Sequence, residues 1–141
     1  MIRSAPTREL DLDTLYAILR LRAEVFVVEQ NCAYLDLDGR DLEPDAIQVW
    51  IERPDGVVGA LRILAESDGS RRIGRVAVAE RARGERLGDD LMVEALRLAA
   101  GARVLLDAQT YLVPWYERLG FGRAGADFVE DGIPHTPMHH H

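Results

Sequence analysis

A run rich in β-formers, Arg72–Ala79, passes through Glu80-Arg81-Ala82-Arg83-Gly84-Glu85-Arg86 into a segment where Leu87, Leu91, Ala95 and Leu98 recur at helical spacing. This junction constrains the fold more than any other stretch. A strand that feeds a helix through a glycine-containing turn aims free N–H groups and the positive end of the helix dipole at one spot, which favours an anion. Gly84 and Gly88 let backbone approach a ligand, and Arg81, Arg83 and Arg86 add forked donors. The turn is neither a Walker loop nor a dinucleotide fingerprint, because the lysine and the glycine triplet are absent. Asp89 and Asp90 suit the dipole but compete with a phosphate. From the residues alone, anion binding and a merely solvated arginine-rich turn both stand.

Around this junction the pattern predicts a mixed α/β chain with a mostly antiparallel sheet. Leu12, Leu15, Tyr16, Leu19, Ala23, Phe26 and Val27 predict a first helix from Leu12 to Glu29, capped by Asp11. The acidic stretch Asn31–Pro44 reads as a loop. Ile47–Arg53 and Val57–Ala65 read as strands joined at Pro54-Asp55-Gly56, and Arg72–Ala79 completes a meander. After the helix Leu87–Ala100 come a strand at Arg103–Ala108 and a short helix at Val113–Leu119. Extended pieces at Arg123–Val129 and Ile133–Met138 follow, parted by the turn Glu130-Asp131-Gly132.

Composition removes several classes. At 141 residues and 15.8 kDa, with 48% hydrophobic and 29% charged residues, one globular domain over 1–138 is expected. His139, His140 and His141 read as the remnant of a purification tag. Seventeen basic residues, all arginine, against 24 acidic ones give −7, so a nucleic-acid partner is not expected. No apolar run reaches the roughly 18 residues a membrane span needs, and residues 1–13 hold no secretory core, so no membrane partner is expected. The single cysteine, Cys32, fits a reducing, cytoplasmic setting, and a small hydrophobe there outweighs an acyl-carrying nucleophile. Asp36, Asp38 and Asp41 lack the glutamate an EF-hand requires, since position 47 is Ile47. A solvated loop or the edge of an amine pocket is favoured, and no metal is expected. Arg62 and Arg75 are read as structural ion-pair partners.

The residues then carry a resemblance. Val76-Ala77-Val78 followed by Arg83-Gly84-Glu85-Arg86-Leu87-Gly88 resembles motif A of the GNAT superfamily of N-acetyltransferases, R/Q-x-x-G-x-G/A. Tyr116-Glu117-Arg118-Leu119-Gly120-Phe121 is similar to its later signature. Four further blocks resemble the ElaA-type branch: Leu21-Arg22 with Val25-Phe26-Val27-Val28-Glu29-Gln30-Asn31-Cys32; Asp36-Leu37-Asp38-Gly39; Ile73-Gly74-Arg75-Val76; and Glu130-Asp131-Gly132-Ile133-Pro134-His135. Together they span nearly the whole chain in order.

The resemblance implies a twisted, mostly antiparallel sheet flanked by helices, with a cofactor cleft where two central strands splay. It implies transfer of the acetyl group of acetyl-CoA directly to an amine-bearing acceptor. The backbone of Val76, Ala77 and Val78 would pair with the pantetheine arm, and the amides from Arg83 through Gly88 (Gly84, Glu85, Arg86 and Leu87 between them) would hold the diphosphate. The amide of Val78 would polarise the thioester oxygen. Tyr116 stands where the family's tyrosine protonates the departing thiolate. Two positions depart: Arg86 replaces the central glycine, and Gln109 stands where relatives carry an asparagine. For the base, Glu29, Asp131 and His135 are candidates, with His135 first because a free imidazole titrates near pH 6.5. On residues alone, Tyr116 beside Trp115 could equally pack the last helix. Two other readings remain: a non-catalytic acyl-CoA-binding module, and an acyltransferase preferring longer chains. A homodimer is left open as the assembly.

Overall fold

Runs of valine, isoleucine and leucine punctuated by tight turns dictate a sheet, and the computed structural model, which describes residues 1–141, contains one sheet of eight strands. The elements in chain order are β1 (Ile2–Pro6), α1 (Leu12–Arg22), β2 (Ile47–Arg53), β3 (Gly56–Ala65), β4 (Arg71–Val78), α2 (Leu87–Leu98), β5 (Val104–Gln109), α3 (Val113–Arg118), β6 (Gly122–Arg123), β7 (Phe128–Glu130) and β8 (Ile133–His140). In space the order is β1-β2-β3-β4-β5-β8-β6, with β7 paired to β8. Every pairing is antiparallel except β4 with β5. No helix is long and apolar enough to cross a membrane.

The helices cover the two faces of this sheet. Helix α2 turns Leu91, Met92 and Ala95 fully inward, and Leu91 Cδ1 lies where a Cβ on Gly59 would be, 3.1 Å away. A bare glycine there lets α2 close on β3. Asp11 caps α1 as expected, its Oδ1 accepting from the Thr14 amide at 2.7 Å. From Ala23 to Glu29 the helix widens into π-helical turns.

Four expectations need correction. First, the buried stripe of the first helix is Ile18, Leu21, Arg22 and Val25, whereas Leu12 and Tyr16 are exposed. The predicted stripe chose the apolar rows, and the helix instead turns an arginine inward because carboxylates await it. Second, β1 was not expected: Ile-Arg-Ser-Ala-Pro has no strong alternation and is held by its ladder to β2. Third, Arg123–Val129 is not one strand but the short β6 and β7. Fourth, β8 runs through His140. The strand therefore ends two residues beyond the expected Met138: His139 pairs with Leu105 and with Gly122, and the His140 ring packs 5.2 Å from that of Phe121.

Within the largely exposed acidic loop, Asp36 and Asp41 are buried. Arg22, only 1% exposed, donates through Nε to Asp36 at 3.0 Å and through Nη1 and Nη2 to the two oxygens of Asp41 at 2.7 and 3.2 Å. Arg62 takes Asp38 and Asp41, Arg75 takes Asp36 and Asp38, and Gln48 also donates to Asp41. Three arginines thus neutralise three aspartates, as the ion-pair reading of Arg62 and Arg75 requires. Hydrogen bonds from Arg62 hold the Asp38 carboxyl well below the usual carboxylate range. Burial would raise Asp41, but the Arg22 and Gln48 hydrogen bonds win and lower it. Arg22→Ala strands Asp36 and Asp41 without their main partner. Urea unfolding of that variant is expected to show a loss of about 3–5 kcal/mol, whereas a loss under about 1 kcal/mol would mean that water replaces the guanidinium.

Candidate active site

Strands β4 and β5 share only the register pairs Arg71↔Val104 and Arg72↔Leu105, then part. Beyond that fork each leaves an edge without a strand partner, and a cleft of about 1000 Å³ opens along it. A wide irregularity in β4 shapes the edge. Register runs Arg62↔Gly74 and Ala60↔Ala77, so Arg75 and Val76 together face Leu61, with Arg75 at φ +54°. Past it, the Ala79 amide bonds to the Val58 carbonyl at 2.8 Å. By the alternation of an antiparallel ladder, Ala77 also commits its peptide groups to β3, while Val78 turns its N–H and C=O into the cleft. Of the expected Val76-Ala77-Val78 backbone contacts, that of Ala77 is therefore spent inside the sheet.

The turn from β4 leads to the open end of α2. Arg86 is the cap residue in a left-handed conformation, φ +61°, without a side-chain cap, and the first helical bond runs from the Asp90 amide to the Arg86 carbonyl at 3.2 Å. The amides of Leu87, Gly88 and Asp89 precede that bond and face outward from the helix end. A left-handed backbone costs a non-glycine residue about 1–2 kcal/mol, which is the physical sense of a glycine at the position of Arg86 in motif A. Gly84 is also left-handed, φ +84°. The Trp115 ring lies 3.2 Å from where a Gly88 Cβ would stand and donates Nε1–H to the Asp89 carboxylate. The three arginines of the turn have separate fates. Arg81 pairs with Asp55 at 3.0 Å, Arg83 pairs with Glu29, and Arg86 lines the cleft without a carboxylate partner. Glu85 reaches away to Arg53 at 2.7 Å, so only its backbone belongs to the turn.

The cleft gathers the other singled-out residues. Tyr116, Gln109, Glu29, Asp131 and His135 all line it. Tyr116 is 6% exposed, wedged between Trp115 at 4.6 Å and Phe121 at 5.9 Å, with no hydrogen bond to its hydroxyl inside the chain. Burial pushes its phenol well above the ordinary value, so the hydroxyl keeps its proton at neutral pH. His135 stacks on Phe128, and its Nδ1 lies 2.8 Å from the Ile133 carbonyl. With Nδ1–H donating there, Nε2 is the acceptor nitrogen. Glu29 is held below the usual carboxylate range by hydrogen bonds from Arg83. Asp131 sits at φ +52° in the β7–β8 turn, and its carbonyl accepts from Cys32 Sγ at 3.3 Å. Gln109 donates to Gln30 Oε1 at 3.3 Å, joining β5 to the end of the π-helical turns.

Sequence reasoning missed Trp115 as the plate beneath Gly88, the Gln30–Gln109 bridge and, above all, the direct contact of Arg83 with Glu29. These partners are 27, 79 and 54 positions apart, and no local spacing announces them.

Comparison with known proteins agrees with this geometry. Residues 24–141 match the family model described as an acetyltransferase (GNAT) domain. The chain is 42% identical over 136 residues to protein ElaA of Escherichia coli, covering 92% of this chain and 89% of that one. It is 43% identical over 141 residues to a UPF0039 protein of Mycobacterium tuberculosis, covering 97% and 90%. The crystal structure of Escherichia coli ElaA superposes with a TM-score of 0.94 at 38% identity, covering 100% of this chain and 99% of that one. An acyl-CoA N-acyltransferase from Pseudomonas aeruginosa superposes at 0.93 with the same identity and coverage. A motif that places free amides at a helix end, a splayed sheet that exposes the adjoining strand edge and relatives matching along almost the whole chain agree: the chain belongs to the GNAT family and is an acyl-CoA-dependent N-acyltransferase of the ElaA type.

Proposed function

We propose that the chain moves the acetyl group of acetyl-CoA directly to an amine carried by a small molecule or a protein. The observation that carries this reading is the edge of β4 beyond its fork with β5, which leads through the turn at residues 79–86 to the open N-terminus of α2. Peptide groups that such an edge leaves outside the ladder, and amides at such an end, must find partners elsewhere: the Val78 carbonyl takes the Arg83 guanidinium, and the others turn to water or a ligand. An amide-bearing arm ending in a diphosphate complements both. The residues present therefore fit CoA, whose acetylated form would supply an activated thioester.

The chain's own residues divide the remaining work. Val76 and Val78 offer backbone to the arm, and of the expected Arg83–Gly88 amides those from Gly84 through Gly88 meet the diphosphate, since the Arg83 amide is bonded to the Glu80 carbonyl at 3.3 Å; the Arg86 side chain is free to grip it. The cleft-facing N–H of Val78 is aimed where negative charge develops on an acyl oxygen. Tyr116, buried and protonated, donates its hydroxyl proton to the leaving sulfur. His135 Nε2 takes the proton from the attacking amine, its ring held by Ile133 and Phe128. Glu29 and Asp131, which also line the cleft, supply carboxylates toward a cationic amine.

Three outcomes test this. Acetyl-CoA at a hundred times its dissociation constant is expected to stabilise the fold by about 2.7 kcal/mol, read by thermal melting, and indifference to both acetyl-CoA and CoA would end the assignment. Tyr116→Phe is expected to lower kcat roughly 100- to 10,000-fold in a thiol-release assay across an amine panel, with CoA affinity unchanged; an undiminished chemical step would remove Tyr116 from the reaction. Gly84→Val meets no neighbour within 4 Å but forces a β-branched residue to φ +84°. Its cost is expected near 1–2 kcal/mol of stability together with at least about tenfold weaker CoA binding by calorimetry.

A further inference from the structure

Arg83 touches three parts of the site at once. Its Nη1 and Nη2 hold both carboxylate oxygens of Glu29, the second at 2.8 Å, at the end of the π-helical turns. Its Nε and Nη2 also reach the Val78 carbonyl at 3.3 and 3.1 Å. That carbonyl is the acceptor that Val78 presents to the cleft beside its N–H, and the one an amide N–H of the arm would use. The guanidinium therefore occupies the acceptor atom that the CoA arm needs, while its own backbone lies in the turn that would meet the diphosphate. Both ends of the contact are partly exposed, 42% for Arg83 and 35% for Glu29, so the fold does not depend on the pair and the arginine can leave. A diphosphate held at the turn would offer the same fork a more highly charged, bidentate partner.

We propose that Arg83 is a positioning residue that CoA exchanges between two partners: in the free protein it clamps Glu29 and covers the Val78 carbonyl, and on CoA binding it passes to the phosphates, which uncovers the carbonyl for the arm and unmasks Glu29 toward the acceptor amine. This rests on the acyl-CoA reading above. The exchange makes the cofactor the first ligand, because before it binds Glu29 carries its own cation. After exchange Glu29 joins Glu130 and Asp131, neither of which has an ion-pair partner in the cleft wall, and the unbalanced negative charge favours a protonated amine.

The test is a double-mutant cycle on CoA affinity by calorimetry, using the wild type, Glu29→Gln, Arg83→Gln and the double variant. Glu29→Gln releases the arginine and is expected to tighten CoA binding about threefold. Arg83→Gln is expected to weaken it at least about tenfold. Adding Glu29→Gln to Arg83→Gln is expected to change nothing, with melting temperatures alike throughout. An equal Glu29→Gln effect with and without Arg83, or weaker CoA binding in the single Glu29→Gln variant, overturns the exchange. Wild-type protein that binds no CoA overturns the acyltransferase reading instead, so the two failures are told apart.

Discussion

A sheet must pair its polar edges, and this one stops doing so at its centre. After Arg72↔Leu105 the two middle strands diverge, and the register of β4 against β3 leaves Val78 with peptide groups pointing into a cleft rather than a ladder. Unpaired backbone inside a protein is costly unless water or ligand completes it. The rest of the site answers that vacancy. The irregularity at Arg75 and Val76 bends β4 away from its parallel neighbour, α2 ends with its amides toward the same opening, and Trp115 fills the floor beneath Gly88. Tyr116 projects from α3 into the space created by the divergence, where burial keeps it a neutral acid.

The second constraint is electrostatic. Six charged side chains, Arg22, Arg62, Arg75, Asp36, Asp38 and Asp41, neutralise one another beneath the loop that follows the first helix. Such networks add little net stability compared with an apolar core of equal volume, but they tolerate few alternative arrangements. Here the arrangement fixes a stretch that no hydrophobic pattern specifies. It sets Tyr34 against Asp36 and leaves Glu29, Gln30 and Cys32 on the cleft wall. Burial and the neighbouring Asp36 push the Tyr34 phenol up to about 12, so it too remains neutral. The Glu29–Cys32 wall of the cleft is thus held by charge pairing, and the β4–α2 wall by backbone.

Legibility in the sequence followed the range of the interaction. The meander β2–β4, the turn into α2 and the α3 helix were read from alternation, glycine and helical spacing, all short-range signals. The N-cap at Asp11 was equally local. The burial face of α1 was misread, because Leu12 and Tyr16 look like core residues until Asp36 and Asp41 draw Arg22 inward. Strand β1 and the extension of β8 through His139 and His140 depend on partners far along the chain, so composition alone could not place them.

By itself the sequence determined the meander β2–β4, the glycine-bearing turn that opens α2 and the short helix that carries Tyr116, because these follow from periodicity and backbone freedom within a few positions. Only the tertiary structure decided which peptide groups of β4 face the cleft, which of the three turn arginines is free, and that Arg83 grips Glu29 across 54 residues. Those outcomes depend on strand register and on competition among charges brought together by folding, and neither is encoded in any short stretch of chain.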